Sequence, residues 1–236
     1  MRVRSGFSTR SAMSDGDSAA AVRREASFRY AAVFLLMLAL LVFVIIAPNG
    51  DLTRAGVCAL QGAALLVVVA TSRERRTVRR ARVRGLGVVA VLVVAGIALG
   101  LVPAAVVTVI NGTLAISVMA ALVQGLLRLV RQQGVTAQAV AGALTIYVLT
   151  GLVFAWVVSL VADVGSADYF AGGTDGSQGD RVYYSFTVLT TTGFGDYTAA
   201  TPVGHALAVV EMLLGQLYLV TVIGVLVGAV AGRSRR

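Results

Sequence analysis

A run of threonines and glycines near the end of the chain, Thr190–Asp196, has the residue types needed to hold a dehydrated cation. A cation that gives up its water needs a column of oxygen atoms at close range, and backbone carbonyls can supply that column. Successive carbonyls point the same way only where the backbone alternates between ordinary and left-handed conformations, and glycine enters the latter at least cost. Gly193 and Gly195 stand at these positions. Thr191 adds a hydroxyl at the inner end, and Asp196 adds a carboxylate at the outer mouth. The pattern predicts an ion selectivity filter.

Two helices are needed to position this loop. Asp180 is the predicted N-cap of a short pore helix that ends near Thr190 and turns its negative dipole end toward the ion path. The residues of interest on this helix are Tyr183, Tyr184, Thr187 and Thr190. After the loop, Thr201 is a predicted cap and Pro202 a first-turn proline, so the next helix is expected to begin there.

The order of helix, short re-entrant helix, T-x-G-[YF]-G-D loop and helix resembles the pore module of tetrameric potassium channels, including bacterial ones. The resemblance covers Ala137 to Gly232, a little under half of the chain. It implies a K⁺ selectivity filter formed by Thr191, Thr192, Gly193, Phe194, Gly195 and Asp196, with K⁺ held by Thr191 to Phe194. It also implies a homotetramer, because one loop supplies oxygens on only one side of an ion and four chains in cyclic symmetry complete the cage.

This loop departs from the commoner TVGYGD pattern at two positions. Thr192 replaces a valine and Phe194 replaces a tyrosine, and both replacements occur in potassium channels. Phe194 lacks the phenol that would hydrogen-bond behind the filter. A less rigidly enforced selectivity is therefore an alternative, with potassium still the favoured ion.

The composition indicates an integral membrane protein. Of the 236 residues, 58% are hydrophobic and 13% charged, with a mean hydropathy of +0.87, well outside the range of soluble proteins. The 20 basic residues are all arginine and lie beside apolar spans, so the positive-inside rule explains them without a nucleic-acid partner. Cys58 and His205 are the only residues of their kinds, and neither suggests a disulfide or a metal site.

Hydropathy divides the chain into a tail and six apolar spans. The first two spans run from about Tyr30 to Ala47 and from about Ala55 to Ala70. The apolar stretch from Leu86 to about Leu127 is about twice the length that a helix needs to cross a bilayer, so it must fold back once. Pro103 is the preferred turn and Asn111-Gly112 the alternative. The fifth and sixth spans cover about Ala137 to Ala162 and Val203 to Val230.

The predicted fold is an all-α integral membrane protein with six transmembrane helices, a re-entrant pore helix and filter loop, and cyclic homotetrameric assembly. Residues 1–27 are expected to form a disordered cytoplasmic tail, residues 28–131 a four-helix peripheral membrane domain, and residues 137–232 the pore domain. The arginine distribution predicts that both termini are cytoplasmic in a multi-pass plasma membrane protein. The outer loop between the fifth span and the pore helix then carries four aspartates, which either concentrate cations or only make the loop soluble.

The arginines between the second and third spans do not form a voltage sensor. Arg73, Arg76, Arg79 and Arg82 recur every third residue, but Glu74, Arg75, Thr77 and Arg80 lie between them. Such a segment is too polar to enter the membrane as a gating helix. We expect a cytoplasmic connection, Arg73–Arg84, that contacts anionic lipid headgroups. Opening is predicted to be largely independent of voltage.

The sixth span suggests where such a channel opens and closes. Gly215 lies at a spacing from the loop that resembles the hinge glycine of two-span potassium channels, with close packing against a neighbour as the alternative. Regular helical spacing from Gly215 puts Leu219, Ile223 and Val227 on one apolar stripe, a candidate inner gate that closes by dewetting. Gly224, Gly228 and Gly232 allow close approach of helices near the inner mouth.

The sixth span also carries the one acidic residue well inside any span, Glu211. An intramembrane carboxyl is a functional candidate by default. With Gln216, it is predicted to support the filter from behind, hydrogen-bonded to the pore helix or the filter backbone. Thr187 occupies the position where some relatives of the resembled family carry a bracing glutamate, and Glu211 is a candidate substitute.

Three functions remain open from the sequence. The first is a potassium-selective channel, the second a weakly selective monovalent cation channel, and the third a non-conducting membrane scaffold subunit. No enzyme is expected, because nucleophiles, bases and metal ligands do not cluster in the sequence. No cofactor is expected beyond K⁺ as the permeant ion, and the expected partners are other copies of the chain and membrane lipids.

Overall fold

The computed structural model describes residues 32–48, 50–70 and 76–233, and this part of the chain is helical with no β-strand longer than an isolated bridge. The predicted tail and the arginines at 73, 75, 235 and 236 lie outside the described residues. The elements, in chain order, are α1 (Ala32–Ile46), α2 (Asp51–Ala70), α3 (Arg76–Ala98), α4 (Ala104–Gln133), α5 (Ala137–Val164), α6 (Gln178–Leu189), α7 (Pro202–Leu217), a π-helical segment (Tyr218–Ile223) and α8 (Gly224–Arg233).

Four of these helical stretches are long and apolar enough to cross a membrane. They are Asp51–Val69, Val106–Gln132, Gln138–Val164 and Pro202–Gly232. The apolar helices Ala32–Ile46 and Val83–Ala98 are shorter than 18 residues, whereas a crossing helix usually needs about 20. The described residues therefore provide four candidate spans where the hydropathy pattern predicts six.

The long apolar stretch folds back at Pro103, as predicted. Helix α3 ends at Ala98, and Gly100 takes a φ of +69° in the turn after it. The amide of Leu101 then donates to the carbonyl of Gly96 at 2.9 Å, which closes the helix end. Pro103 immediately precedes α4, because its fixed φ suits a helix start. The alternative turn, Asn111-Gly112, lies inside α4 and is wrong.

The basic segment is helical where the structure describes it. Helix α3 begins at Arg76, so residues 76–84 form the first turns of α3. The predicted polybasic connection is therefore helical in this part. Arginine and alanine favour helix, and nothing in 76–84 stops an apolar helix from extending toward its own N-terminus.

One core joins the N-terminal helices to the helices around the Thr190–Asp196 loop. Its buried members come mainly from α1, α2, α4 and α5, and it includes Val182 of α6 and Leu226 of α8. The end of α1 also approaches the start of α6, since a Cβ at Gly179 would lie 3.2 Å from the carbonyl oxygens of Val44 and Ile45. The N-terminal helices are thus packed directly against the element that leads into the loop.

Candidate functional site

The backbone of the Thr190–Asp196 loop alternates in handedness at every second residue. Gly193 and Gly195 have φ values of +52° and +84°, and Thr191 has a φ of +57°. No atom lies within 4 Å of a Cβ built on either glycine, so the backbone conformation and not the available space requires glycine there. The positive φ of Thr191 was not predicted, because a β-branched residue rarely enters this region.

Helix α6 ends at the loop, and its first turn is capped differently from the prediction. Ser177 is the N-cap, and its hydroxyl accepts a hydrogen bond from the amide of Asp180 at 3.1 Å. The Asp180 carboxylate accepts from the Ser177 amide at 2.7 Å, which completes a capping box. The prediction of Asp180 as N-cap is therefore wrong by three residues, although the pattern Ser-x-x-Asp was present in the sequence.

The loop closes the C-terminal end of α6 with its own amides. The carbonyl of Thr187 accepts from the amides of Thr192 at 2.8 Å and Gly193 at 3.1 Å, and the carbonyl of Val188 accepts from Thr191 at 2.9 Å. These carbonyls belong to the last turn of the helix and have no partner within it. The inner half of the loop is thus an extension of the helix end.

Side chains tie the inner half of the loop to α7. The Gln216 amide donates to the Thr191 hydroxyl oxygen at 2.9 Å. The Thr191 hydroxyl donates to the carbonyl of Thr190 at 2.7 Å, and the hydroxyls of Thr190 and Thr192 are 2.9 Å apart. Gln216 is therefore the predicted support residue that touches the loop directly.

Glu211 lies behind α6 and is 1% exposed. Its carboxyl is hydrogen-bonded to the hydroxyl of Ser185 on α6, and that hydroxyl also lies 2.7 Å from the carbonyl of Gly151 on α5. A hydroxyl has one proton to donate, so both contacts are satisfied together when Glu211 is protonated and donates to Ser185. The structure brings Glu211 to the short helix and not to the loop backbone.

Thr187, the position compared with a bracing glutamate, uses its side chain within α6. Its hydroxyl donates to the carbonyl of Tyr184 at 2.8 Å. Its backbone carbonyl is the atom that holds the loop amides. Thr187 therefore contacts the loop through the main chain, while its hydroxyl is bonded within α6.

Gly215 lies where α7 presses against the end of α6. A Cβ at this position would lie 2.2 Å from the carbonyl oxygen of Leu189, a distance that no side chain tolerates. Helix α7 continues without interruption to Leu217, and the irregular backbone begins at Tyr218. Close packing of α7 against the end of α6 therefore explains why a glycine stands at position 215, and this is the alternative to a hinge.

The residues of the predicted inner stripe differ in exposure on the single chain, and their role as a gate stays a prediction. Ile223 packs against the core of its own chain, Leu219 is half-buried, and Val227 is 48% exposed. The prediction assumed regular α-helical spacing, whereas Tyr218–Ile223 is π-helical and shifts the register of the residues after it. The most exposed apolar residues of this stretch are Leu217, Val220 and Val225. The Tyr218 hydroxyl anchors the irregular segment by donating to the carbonyl of Ala143 at 2.7 Å.

An aromatic cluster holds the outer half of the loop, and the sequence reasoning missed it. Tyr169, Phe170 and Tyr184 are buried together in mutual edge contacts, and Tyr197 joins them at 5.0 Å from Phe170. The ring of Phe194 stacks on Tyr183, with centroids 6.3 Å apart and planes 5° apart. The adjacent Tyr169 and Phe170, in an otherwise small and polar segment after α5, were the feature of the sequence that could have indicated this cluster.

Backbone pairing completes this outer frame. The amide of Ala171 donates to the carbonyl of Thr198 at 2.9 Å, and the amide of Ala200 donates to the carbonyl of Tyr169 at 2.8 Å. His205 contacts the carbonyl of Ala199 at 2.8 Å through its Nε2. The segment after the loop is thereby fastened to the segment after α5. The start of α7 has the predicted cap, since Thr201 accepts from Gly204 and Pro202 comes next.

Charged side chains at the outer side form hydrogen bonds and an ion pair within this frame. Burial acts to raise the pKa of Asp180, but hydrogen bonds from Ser177 and Tyr197 outweigh it and lower the pKa below its usual value. The hydrogen bond to Asp196 raises the pKa of Tyr183. Asp175 accepts from the amide of Tyr169, and Asp163 pairs with Arg181 at 3.5 Å. Three of the four outer-loop aspartates thus have structural partners.

The loop and the helix after it are exposed on the single chain. All of Thr190–Asp196 is exposed, and the apolar ring of Phe194 is 69% exposed. Large apolar residues of α7 share this exposure: Val203, Val209, Val210, Leu213, Leu214 and Leu217. Within the described ranges, no three His, Cys, Asp or Glu residues cluster as metal ligands.

Comparison with known proteins gives one match. Residues 142–231 match a family model described as an ion channel. No curated protein and no solved structure matches the chain. The matched segment runs from α5 to α8 and contains the whole loop and its supports, and the matched family is one of channels, not enzymes. Together with the four apolar helices, this match supports an ion channel family for the chain.

Proposed function

We propose that the chain forms a potassium-selective channel in which four copies surround a common axis and the Thr190–Asp196 loops form the filter. The observation that carries this proposal is the left-handed backbone at Thr191, Gly193 and Gly195 in a fully exposed loop. A backbone that alternates in this way turns successive carbonyls toward one side. A dehydrated cation needs such a row of oxygens in place of its water shell.

The exposed surfaces support fourfold assembly. One loop offers oxygens from one direction, so cyclic symmetry is the economical way to complete the cage. The exposed face of α7 and the ring of Phe194 would then be covered by neighbouring subunits. The negative end of each α6 dipole would point toward the ion path below the filter, where it favours a cation.

The supports behind the loop fit the same function. Gln216 holds the Thr191 hydroxyl, the oxygen assigned to the inner end of the filter. The carbonyl of Thr187 fixes the amides of Thr192 and Gly193, so these amides point away from the path. Glu211 and Ser185 join α7 to α6 at a buried point. We propose that these contacts keep the four loops in one geometry.

Gating is proposed to be largely independent of voltage. In the described spans, the basic residues lie near helix ends: Arg54 in the first turn of α2, Arg76–Arg84 at the start of α3, and Arg128 and Arg131 at the end of α4. A voltage sensor needs several such charges within the membrane. We propose a plasma membrane location with both termini cytoplasmic, and contact of the Arg73–Arg84 segment with anionic lipids.

A weakly selective cation channel is the second candidate, and Phe194 is the observation that favours it. Its ring stacks on Tyr183 and has no hydroxyl to bond behind the loop. At Phe194 the filter would then be held by a ring contact and not by a directed hydrogen bond. Such contacts define the carbonyl positions less tightly.

The reversal potential of purified protein in planar bilayers tests the proposal, measured under a potassium gradient in which sodium replaces the missing potassium on the dilute side. A reversal near the potassium equilibrium potential with block by barium is expected. A reversal near zero would favour the weakly selective channel, and Phe194→Tyr should then move it toward potassium. Well-folded protein that gives no current would favour a non-conducting scaffold. Gly195→Ala is the loss-of-function variant and Gly85→Ala its matched control, because of these two glycines only Gly195 has a positive φ, and Gly85 lies in α3.

A further inference from the structure

A cavity of about 370 Å³ lies between the N-terminal helices and the start of α6, away from the Thr190–Asp196 loop. Its walls come from α1, α2, α4 and α5, and α6 contributes its first residues with its N-cap, Ser177. This volume is within the range of small-molecule sites. The cavity is therefore large enough for a compact organic molecule.

Two buried amides line this cavity and have oxygen atoms without partners. Gln61 of α2 is 7% exposed and Asn111 of α4 is 8% exposed. Within the described residues, Gln61 Oε1 and Asn111 Oδ1 have no hydrogen-bond partner. A buried polar atom without a partner costs about 1–3 kcal/mol. A molecule that offered O–H or N–H groups to these two amides would recover that cost.

The charges of the cavity are already balanced. Arg181 pairs with Asp163 at 3.5 Å, and Arg54 pairs with Asp51 at 3.0 Å. Both arginines lie at the cavity. An anionic ligand would have to displace one of these aspartates, and a cationic ligand would face the two arginines. An uncharged ligand meets neither difficulty.

The rest of the lining is part apolar and part polar. Its apolar side chains include Leu40, Val44, Val57, Leu152 and Val182, and its hydroxyl side chains are Thr53, Thr108, Ser159 and Ser177. The ring of Trp156 also borders the cavity, and its indole N–H donates to the carbonyl of Thr108 at 2.7 Å. The lining thus offers a hydrocarbon surface and several hydrogen-bonding groups, which suits a ligand that has both kinds of surface.

We propose that this cavity binds a small uncharged amphiphile whose hydroxyl or amide N–H groups donate to Gln61 and Asn111. The apolar part of the ligand lies against the α1 and α5 walls. A free alcohol and the uncharged glycerol end of a neutral lipid share this chemistry. The binding claim is independent of ion conduction.

Occupancy also has a consequence that rests on the proposed channel function. Ser177, Gln178 and Arg181 border the cavity, and they begin the helix whose last turn holds the loop amides. A ligand that contacts them shifts the equilibrium of α6 positions if it binds one position more tightly than another. The site would therefore modulate the channel from the N-terminal helices.

Trp156 makes the binding measurable, because it is the only tryptophan in the chain. Bromine quenches indole fluorescence on contact, so bromohexanol serves as the hydroxyl-bearing probe and bromohexane as the matched probe without a donor. The expected result in detergent is saturable quenching by bromohexanol and only linear, unsaturable quenching by bromohexane. Equal, linear quenching by the two probes would overturn the proposal without any variant.

Three variants locate the site. Asn111→Leu and Gln61→Met keep the side-chain size and remove the amide on two different helices, and each should weaken bromohexanol binding roughly five- to tenfold. Thr113→Val is the control on α4, since Thr113 is exposed and its hydroxyl donates to the carbonyl of Val109 in its own helix. Unchanged affinity in both amide variants would contradict the assignment. Competition by glycerol monoester but not by hexanol would identify a lipid as the source, and the reverse a free alcohol.

Discussion

Two apolar helical stretches of this chain have the same hydropathy and opposite surroundings. Gln138–Val164 and Pro202–Gly232 both have a mean hydropathy of 2.2, but 44% of the first window is buried within the chain and only 11% of the second. The first is enclosed by α4, α6 and the N-terminal helices. The buried residues of the second are few: Gly204, Glu211, Gly215 and Leu226.

The difference distinguishes the helix surface that a single chain buries from the surface that it leaves exposed. Three contacts of the second stretch with its own chain are specific. Gly215 packs against the carbonyl of Leu189. Glu211 is hydrogen-bonded to the Ser185 hydroxyl, and Gln216 to the Thr191 hydroxyl. Several large apolar residues elsewhere on this stretch, among them Leu213, Val220 and Val225, are exposed on the single chain, as is the loop beside it. The proposed tetramer gives this open surface the same kind of burial that α5 has already.

The largest expected effect comes from Gly215, the tightest contact of the second stretch. Gly215→Ala places a methyl group 2.2 Å from the Leu189 carbonyl oxygen, so α7 must move away from α6. Overpacking typically costs about 1–3 kcal/mol, and a backbone neighbour that cannot rotate aside puts this case at the upper end. Thermal unfolding in detergent measures the loss.

Gly85→Ala is the matched control for Gly215. Gly85, in α3, is exposed and has no atom within 4 Å of a Cβ built on it, so an alanine there should keep or raise stability. Equal unfolding temperatures for the two variants would contradict the close-packing account. A normal fold with altered opening in Gly215→Ala would instead favour a hinge.

Ser185→Ala is expected to have the next largest effect. It leaves the carboxyl of Glu211 and the carbonyl of Gly151 without their shared partner in a buried place. The expected loss is about 1–3 kcal/mol in the free energy of unfolding. Ser117→Ala is the control, since the exposed Ser117 hydroxyl bonds only within its own helix.

Glu211→Gln tests the contact between Glu211 and Ser185 from the other residue. The amide keeps the shape and a donor for Ser185, so its loss of stability should be smaller than that of Ser185→Ala. If Glu211 also supports the filter in place of the missing brace, this variant should change selectivity or inactivation. A channel indistinguishable from the unsubstituted one would remove Glu211 from the filter supports.

Gln216→Leu tests the one side chain that joins α7 to the loop. Loss of the hydrogen bond to Thr191 should cost about 1 kcal/mol or less in stability, because the site is exposed on the single chain. The permeability ratio of potassium to sodium should fall several-fold. Gln124→Leu, at an exposed position of α4, should leave that ratio unchanged.

The smallest effect concerns pH at the outer frame. The pKa of Asp180 is lowered in the folded protein, so its stabilising contribution is present above the usual aspartate pKa. That contribution is lost as the pH falls through the lowered value. Unfolding temperature should therefore drop slightly more on acidification in the original chain than in Asp180→Asn. Identical acid profiles would show that the capping box contributes nothing measurable.

Local chemistry predicted part of this architecture. The turn at Pro103, the cap at Thr201 and the glycines of the loop each arise from a preference of one or two residues, so they were readable in sequence. The Ser177 cap was equally readable but was missed, because Asp180 is also a good cap residue and lies nearer the apolar run.

Features that depend on packing were not predictable in the same way. Thr191 has a positive φ where its amide bonds to Val188 of α6 and its hydroxyl accepts from Gln216, contacts that form only once the helices are packed. The π-helical segment depends on contacts such as Tyr218 on Ala143, which no periodicity reveals, and it displaced the predicted Leu219, Ile223 and Val227 stripe. The cavity at Gln61 and Asn111 likewise requires four helices to be placed before it exists.

The number of chains in the purified complex tests the central claim most directly, namely that the open surface of the last span is covered by other copies. Native mass spectrometry in detergent counts copies of the 24.4 kDa chain. Four copies are expected, and a charge placed on the exposed face, as in Leu213→Glu, should reduce them to one. A monomer or dimer in the original chain, under conditions in which α5 remains packed, would contradict the account.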